Sequence, residues 1–116
     1  MAHILVIEDD LQMLEILLHS LKRQGHNVIG ALDGEEGIRL YRQMNFDLVI
    51  TDLLLPDTMG LEIILKLKRE DNLKIIAISG ASANLELAGR IGAHYAFNKP
   101  FCLEELSVAV KELLEE

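Results

Sequence analysis

Short apolar runs alternate with longer amphipathic stretches along this chain. The runs at 4–7, 46–51 and 73–78 are rich in Ile, Leu and Val; those at 28–31 and 95–98 are weaker. Nearly continuous apolar runs of this length fit strands buried on both faces. Between the runs, Leu14, Leu17, Leu18 and Leu21 recur at helical spacing and stop at Gly25. Asp33-Gly34-Glu35-Glu36 reads as a capping box, with Asp33 on backbone N–H groups and Glu36 reaching back. It opens a helix through Ile38, Leu40 and Tyr41 that Gly37 is expected to weaken. Leu61, Ile64, Leu65 and Lys68 mark a third helix after Gly60. Leu85, Ala88 and Ile91 stripe a fourth that Gly92 ends. Leu103, Leu106, Val110, Leu113 and Leu114 stripe the last, with acids on its outer face. Five strand–helix pairs in strict alternation predict an α/β fold: three layers, a parallel sheet with helices on both faces.

Polar residues sit where the strands end. Glu8-Asp9-Asp10, Asp52, Ser79 and Lys99-Pro100 each follow an apolar run. In a parallel sheet these carboxyl ends share one edge, so the groups converge where open α/β sheets bind ligands. Clustered carboxylates repel one another, and a hard divalent cation such as Mg²⁺ relieves that repulsion. Lys99 can place a second positive charge on an anion, and Ser79 can donate a hydrogen bond to it. The set suits an aspartate that accepts a phosphoryl group as an acyl phosphate.

Length and charge narrow the alternatives. The 116 residues suit one domain, expected over 1–116 with no output domain in this chain. A net charge of -8 argues against nucleic acid and anionic membranes as partners. Cys102 is the single cysteine, so no internal disulfide forms; together with the absence of a signal peptide or apolar span, this sets the expectation of a cytoplasmic protein. His3, His19, His26 and His94 show no metal spacing, and Met13, Met44 and Met59 are read as packing residues.

The chain resembles the receiver domain of bacterial two-component response regulators over nearly its whole length. The resemblance is carried by Ile4-Leu5-Val6-Ile7-Glu8-Asp9-Asp10, Asp52-Leu53-Leu54-Leu55-Pro56 with Gly60, Ile78-Ser79-Gly80, Gly92-Ala93 and Lys99-Pro100-Phe101. It implies a doubly wound, flavodoxin-like fold with five strands in the order 2-1-3-4-5 and a cis Lys99–Pro100 bond. It implies that Asp52 is the phosphoacceptor, with Ser79 and Lys99 contacting the phosphoryl group. Asp9 and Asp52 would ligate Mg²⁺ or Mn²⁺, with Glu8 acting through water and the Leu54 backbone carbonyl as a further ligand. The implied donor is a histidine kinase or a histidine phosphotransfer protein. The output partner would meet the face formed by the fourth helix, fifth strand and fifth helix, in a monomer or weak homodimer. A signalling domain that phosphorylates and dephosphorylates itself is expected, without turnover of a metabolite.

The sequence departs from that pattern in places. Family members carry Tyr or Phe three residues before the lysine, where this chain has Ala96. Tyr95 stands next to it, and strand alternation points Tyr95 to the opposite face, beside Phe97. The connection from the third helix to the fourth strand is expected to be trimmed, and the fourth helix short. These departures support an alternative, a degenerate receiver that binds a partner without phosphorylation. A phosphate-binding cofactor site is disfavoured, because the acids after the first strand would repel a phosphate and no Gly-rich phosphate loop occurs.

Overall fold

The pattern folds as β1 (His3–Ile7), α1 (Leu11–Arg23), β2 (Asn27–Ala31), α2 (Gly34–Gln43), β3 (Leu48–Asp52), α3 (Gly60–Glu70), β4 (Lys74–Ser79), α4 (Ser82–Ile91), β5 (Tyr95–Asn98) and α5 (Leu103–Glu115). The structure is a computed structural model that describes residues 2–70 and 73–115. Every strand pairs in parallel, and the order is β2-β1-β3-β4-β5, a flavodoxin-like sheet. The winding reverses between β1 and β3, whose carboxyl ends therefore flank the crevice.

Residues alternate between two cores. On β1, Ile4 and Val6 face one core with Leu14, Leu17 and Leu21 of α1 and Leu106 and Val110 of α5. Leu5 and Ile7 face the other, with Ile63, Ile64 and Leu67 of α3 and Leu85 and Ala88 of α4. Both faces of β1, β3 and β4 are thus covered, which is why their sequences run apolar without alternation. α2 adds Ile38, Leu40 and Tyr41 to the second core. Gly37 does more than weaken this helix: a Cβ there would stand 2.5 Å from Ile7 Cδ1, so glycine lets α2 lie close on β1.

Several boundaries differ from the expected ones. The third strand starts at Leu48, because Asp47 before it is held by His3: each backbone or side-chain bond between them measures 2.8 Å. Phe46 leaves the strand to stack on Tyr41, with ring centroids 6.5 Å apart. Asp52 and Ser79 are the last residues of β3 and β4 and extend those strands by one position. The fourth helix is ten residues long, equal to α2 and shorter than α1, α3 and α5, in keeping with the short helix expected. The connection from α3 to β4 runs through 71–73, and 71 and 72 lie outside the described residues. Met44 and Met59 are 41% and 46% exposed, whereas Met13 packs on the first core as expected. The Lys99–Pro100 bond is cis.

Candidate functional site

The parallel register brings the strand ends together. Asp52 closes β3 opposite Ile78, and Ser79 follows at the end of β4 opposite Asn98. The Lys99 N–H then donates to the Ser79 carbonyl at 2.8 Å, which carries Lys99 past the sheet edge and over the crevice. Its Nζ donates to Glu8 Oε1 at 2.6 Å and to Asp52 Oδ2 at 2.8 Å. Glu8 is fully buried and Asp52 nearly so. The second oxygen of Glu8 accepts the Asp10 N–H at 3.1 Å, and Asp52 Oδ1 accepts the Leu54 N–H at 3.1 Å. Each buried carboxylate is therefore satisfied at both oxygens, as burial of charge demands.

Electrostatics at the site follow from this burial. Desolvation pushes the Glu8 carboxyl up to about 7, against the lowering pull of its hydrogen bonds from Lys99 and Asp10. Desolvation alone would lower the Lys99 ammonium, but its bonds to Asp52 and Glu8 outweigh it, and the pKa is raised. One ligand oxygen each from Glu8, Asp9 and Asp52 lies within 4.8 Å of the others, and Asp9 is the exposed member. Lys99 bonds two of these three carboxylates, so a fully ionised cluster keeps an excess of negative charge. An all-oxygen, anionic donor set of this kind suits a hard divalent cation.

Glu8, Asp9, Asp52 and Lys99 therefore share one crevice. Ser79 stands beside it, fully buried, with its Oγ accepting the Ala81 N–H at 3.1 Å. Leu54 exposes its side chain while its backbone stays tied to Asp52 and bridges Met59. Asp10 is separate from the cluster: it caps α1, accepting the Gln12 N–H at 3.1 Å. Tyr95 and Phe97 pack on the core shared by α1 and α5, and the Tyr95 hydroxyl donates to Glu112 at 2.5 Å. Ala96, on the opposite face of β5, is exposed.

Sequence reasoning missed one acid near the site. Asp57, in the loop between β3 and α3, accepts the Gly34 and Glu35 N–H groups, each at 2.8 Å. Asp33 takes the Glu36 N–H at 2.8 Å, as the capping motif anticipated. The other open donors of that turn go to Asp57, a partner more than twenty residues away that no local motif announces.

Comparison with known proteins agrees with this fold. The profile of the response regulator receiver domain matches residues 4–111. The chain is 34% identical over 109 residues to the transcriptional regulatory protein YcbL of Bacillus subtilis, covering 92% of this chain and 48% of YcbL. It is 32% identical over 116 residues to the response regulator ArlR of Staphylococcus aureus, covering 98% of this chain and 53% of ArlR. The chain thus spans about half the length of the curated relatives it matches. The response regulator TrrA of Thermotoga maritima, solved in complex with Mg²⁺ and BeF, superposes with a TM-score of 0.90 at 31% identity, over 97% of this chain and 99% of that one. With its sheet order, its strand-end acids and a profile match over almost its whole length, this chain belongs to the response regulator receiver domain family of two-component signalling.

Proposed function

We propose that the chain acts as a single receiver unit over 1–116 that accepts a phosphoryl group on Asp52 and thereby switches a partner-binding surface. The observation that carries this reading is the pair of short contacts from Lys99 Nζ to Asp52 and Glu8 at the sheet edge. Asp9, Asp52, the Leu54 carbonyl and, through water, Glu8 would hold Mg²⁺ or Mn²⁺, which when bound neutralises the acids and the transferring phosphoryl oxygens. The donor is a phosphohistidine of a histidine kinase or phosphotransfer protein. An Asp52 carboxylate oxygen attacks phosphorus; the O–P bond forms as the P–N bond breaks, and the imidazole leaves with its electron pair and takes up a proton from solvent. Lys99 moves its hydrogen bond from the Asp52 carboxylate to a phosphoryl oxygen. The Leu54 N–H keeps the carboxylate oriented, which leaves the task mainly one of positioning and charge. Ser79 exchanges the Ala81 N–H for the phosphoryl oxygen and so reports occupancy to the start of α4.

The output surface is assigned to the α4, β5 and α5 face. A groove there is lined by Tyr95, Phe97 and Val108 and rimmed by Glu104, Glu105 and Glu112. Its charge complements a basic partner segment and disfavours a close self-contact, consistent with a monomer or weak homodimer. Among the described residues no helix is long and apolar enough to cross a membrane.

Incubation with acetyl phosphate and Mg²⁺, followed by intact mass, tests the chemistry. One phosphoryl adduct is expected on the wild type and none on Asp52→Asn or after chelation. An unmodified wild type, or an adduct that survives on Asp52→Asn, refutes it. Exposed Ala96 favours the second reading, a receiver whose partner binding ignores phosphorylation. Amide spectra with beryllofluoride and Mg²⁺ separate the two: shifts reaching α4 and α5 support the switch, and shifts confined to the crevice support the degenerate form.

A further inference from the structure

The loop after β3 is folded back on itself. The Gly60 N–H donates to the Leu53 carbonyl at 2.9 Å, the Leu55 N–H to the Thr58 carbonyl at 3.3 Å, and Leu54 bridges Met59. Its tip is tied to a different element. Both oxygens of Asp57 accept backbone N–H groups at the N-terminus of α2, at 2.8 Å each. These bonds, first from Gly34 and then from Glu35, hold the Asp57 carboxyl below its ordinary range. Contact at this joint is close: a Cβ on Gly34 would lie 2.2 Å from Thr58 Cγ2 and 3.2 Å from Asp57 Oδ1. Any larger residue at position 34 would have to displace the Thr58 side chain for the loop to seat as it does. Two aspartates divide the open donors of the α2 turn, and they do different things. Asp33 belongs to the helix it caps. Asp57 belongs to the loop that carries Leu54.

We propose that Asp57 is a positioning residue for the metal and phosphoryl site. It anchors the β3–α3 loop to α2, so that the Leu54 N–H stays on Asp52 and the Leu54 backbone, whose carbonyl is assigned above as a ligand, stays fixed next to that carboxylate. The inference rests on the role assigned above to the Leu54 carbonyl. An anion at the N-terminal end of a helix is favoured by its dipole and its open N–H groups, so α2 supplies a fixed point outside the crevice. Groups that orient metal ligands commonly change affinity about tenfold or more when removed.

Asp57→Ala and Asp33→Ala each remove one cap of the same helix, and comparing them isolates the loop. Mg²⁺ is titrated without a donor, followed by amide NMR, and the Mg²⁺ dependence of acetyl phosphate labelling is measured by intact mass. Asp57→Ala is expected to raise the half-saturating Mg²⁺ about tenfold, with labelling restored at saturating Mg²⁺. Asp57→Asn keeps one acceptor oxygen and is expected to raise it about threefold, while Asp33→Ala stays within about twofold of wild type. Equal Mg²⁺ dependence in Asp57→Ala and Asp33→Ala overturns the proposal. If Asp57→Ala loses its cooperative melt, Asp57→Asn carries the comparison, and wild-type affinity in that variant overturns it. A wild type that neither binds Mg²⁺ nor accepts the phosphoryl group refutes the receiver chemistry itself. A wild type that does both, matched by Asp57→Ala, overturns the anchor alone.

Discussion

Gly60→Ala sets helix propensity against packing. Gly60 is the first residue of α3, and alanine favours helix over glycine by about 1 kcal/mol in an interior position, less in a first turn. Propensity alone therefore predicts a gain. The tertiary contacts predict the reverse. A Cβ at position 60 would stand 2.3 Å from the Asp52 carbonyl oxygen and 2.6 Å from Leu53 Cα, where ordinary contacts begin at 3.4 Å. Both obstacles are backbone, so relief requires the end of β3 and the start of α3 to move apart by about 1 Å; overpacking of this kind costs about 3 kcal/mol, at the upper end of the usual range. The net expectation is a loss of about 2 kcal/mol, or roughly 10 °C in Tm for a domain of this size. Gly89→Ala is the control: it lies within α4 with no atom near its would-be Cβ, and it should gain somewhat under 1 kcal/mol. Urea denaturation followed by circular dichroism in EDTA measures both. Because the displaced atoms flank Asp52, Gly60→Ala should also need more Mg²⁺ for acetyl phosphate labelling. A Gly60→Ala protein as stable as wild type would refute the close approach of α3 to the end of β3.

Three further expectations follow from the same site. Lys99→Met leaves the buried carboxylates of Glu8 and Asp52 without their cation and should cost about 3 kcal/mol in EDTA, with part of the loss recovered in Mg²⁺; equal urea midpoints for variant and wild type would contradict the assigned ion pairs. Glu8 binds its proton more tightly folded, at about 7 against 4.5 unfolded, so its contribution to metal-free stability is full below pH 4.5 and is lost as pH rises to about 7. That loss is about 3 kcal/mol; Glu8→Gln should flatten it in urea melts at pH 5 and pH 8, and an unchanged slope would assign the titration elsewhere. Ala96→Tyr adds a ring on an exposed position, so stability should change by no more than about 0.5 kcal/mol while beryllofluoride shifts extend further into α4; an unfolded variant would contradict the exposure of Ala96.

The fold was legible because its signals are local. Runs of Ile, Leu and Val in β1, β3 and β4 report burial on both faces, and Gly25 and Gly92 mark helix ends through positive φ values of 95° and 132°. The Asp10 and Asp33 caps lie within three residues of the N–H groups they accept. The acids at strand ends were legible for the same reason, since parallel strands place their carboxyl ends on one edge.

Contacts between distant segments were decided only by the tertiary structure. Glu8 and Lys99 are separated by 91 residues, and their pairing depends on β1 and β5 sharing one sheet across β3 and β4. The raised pKa of Glu8 depends on burial that no neighbouring residue in the chain supplies. The sequence placed Gly34 in a capping box and Gly60 at the start of a helix, but not the opposing backbone and side-chain atoms that fill the space where a Cβ would go. Asp57 looked like a loop acid until α2 arrived beside it. Sequence periodicity reports which face of an element is buried; it carries no record of which distant group will meet it, because that is fixed by the crossovers that order the strands.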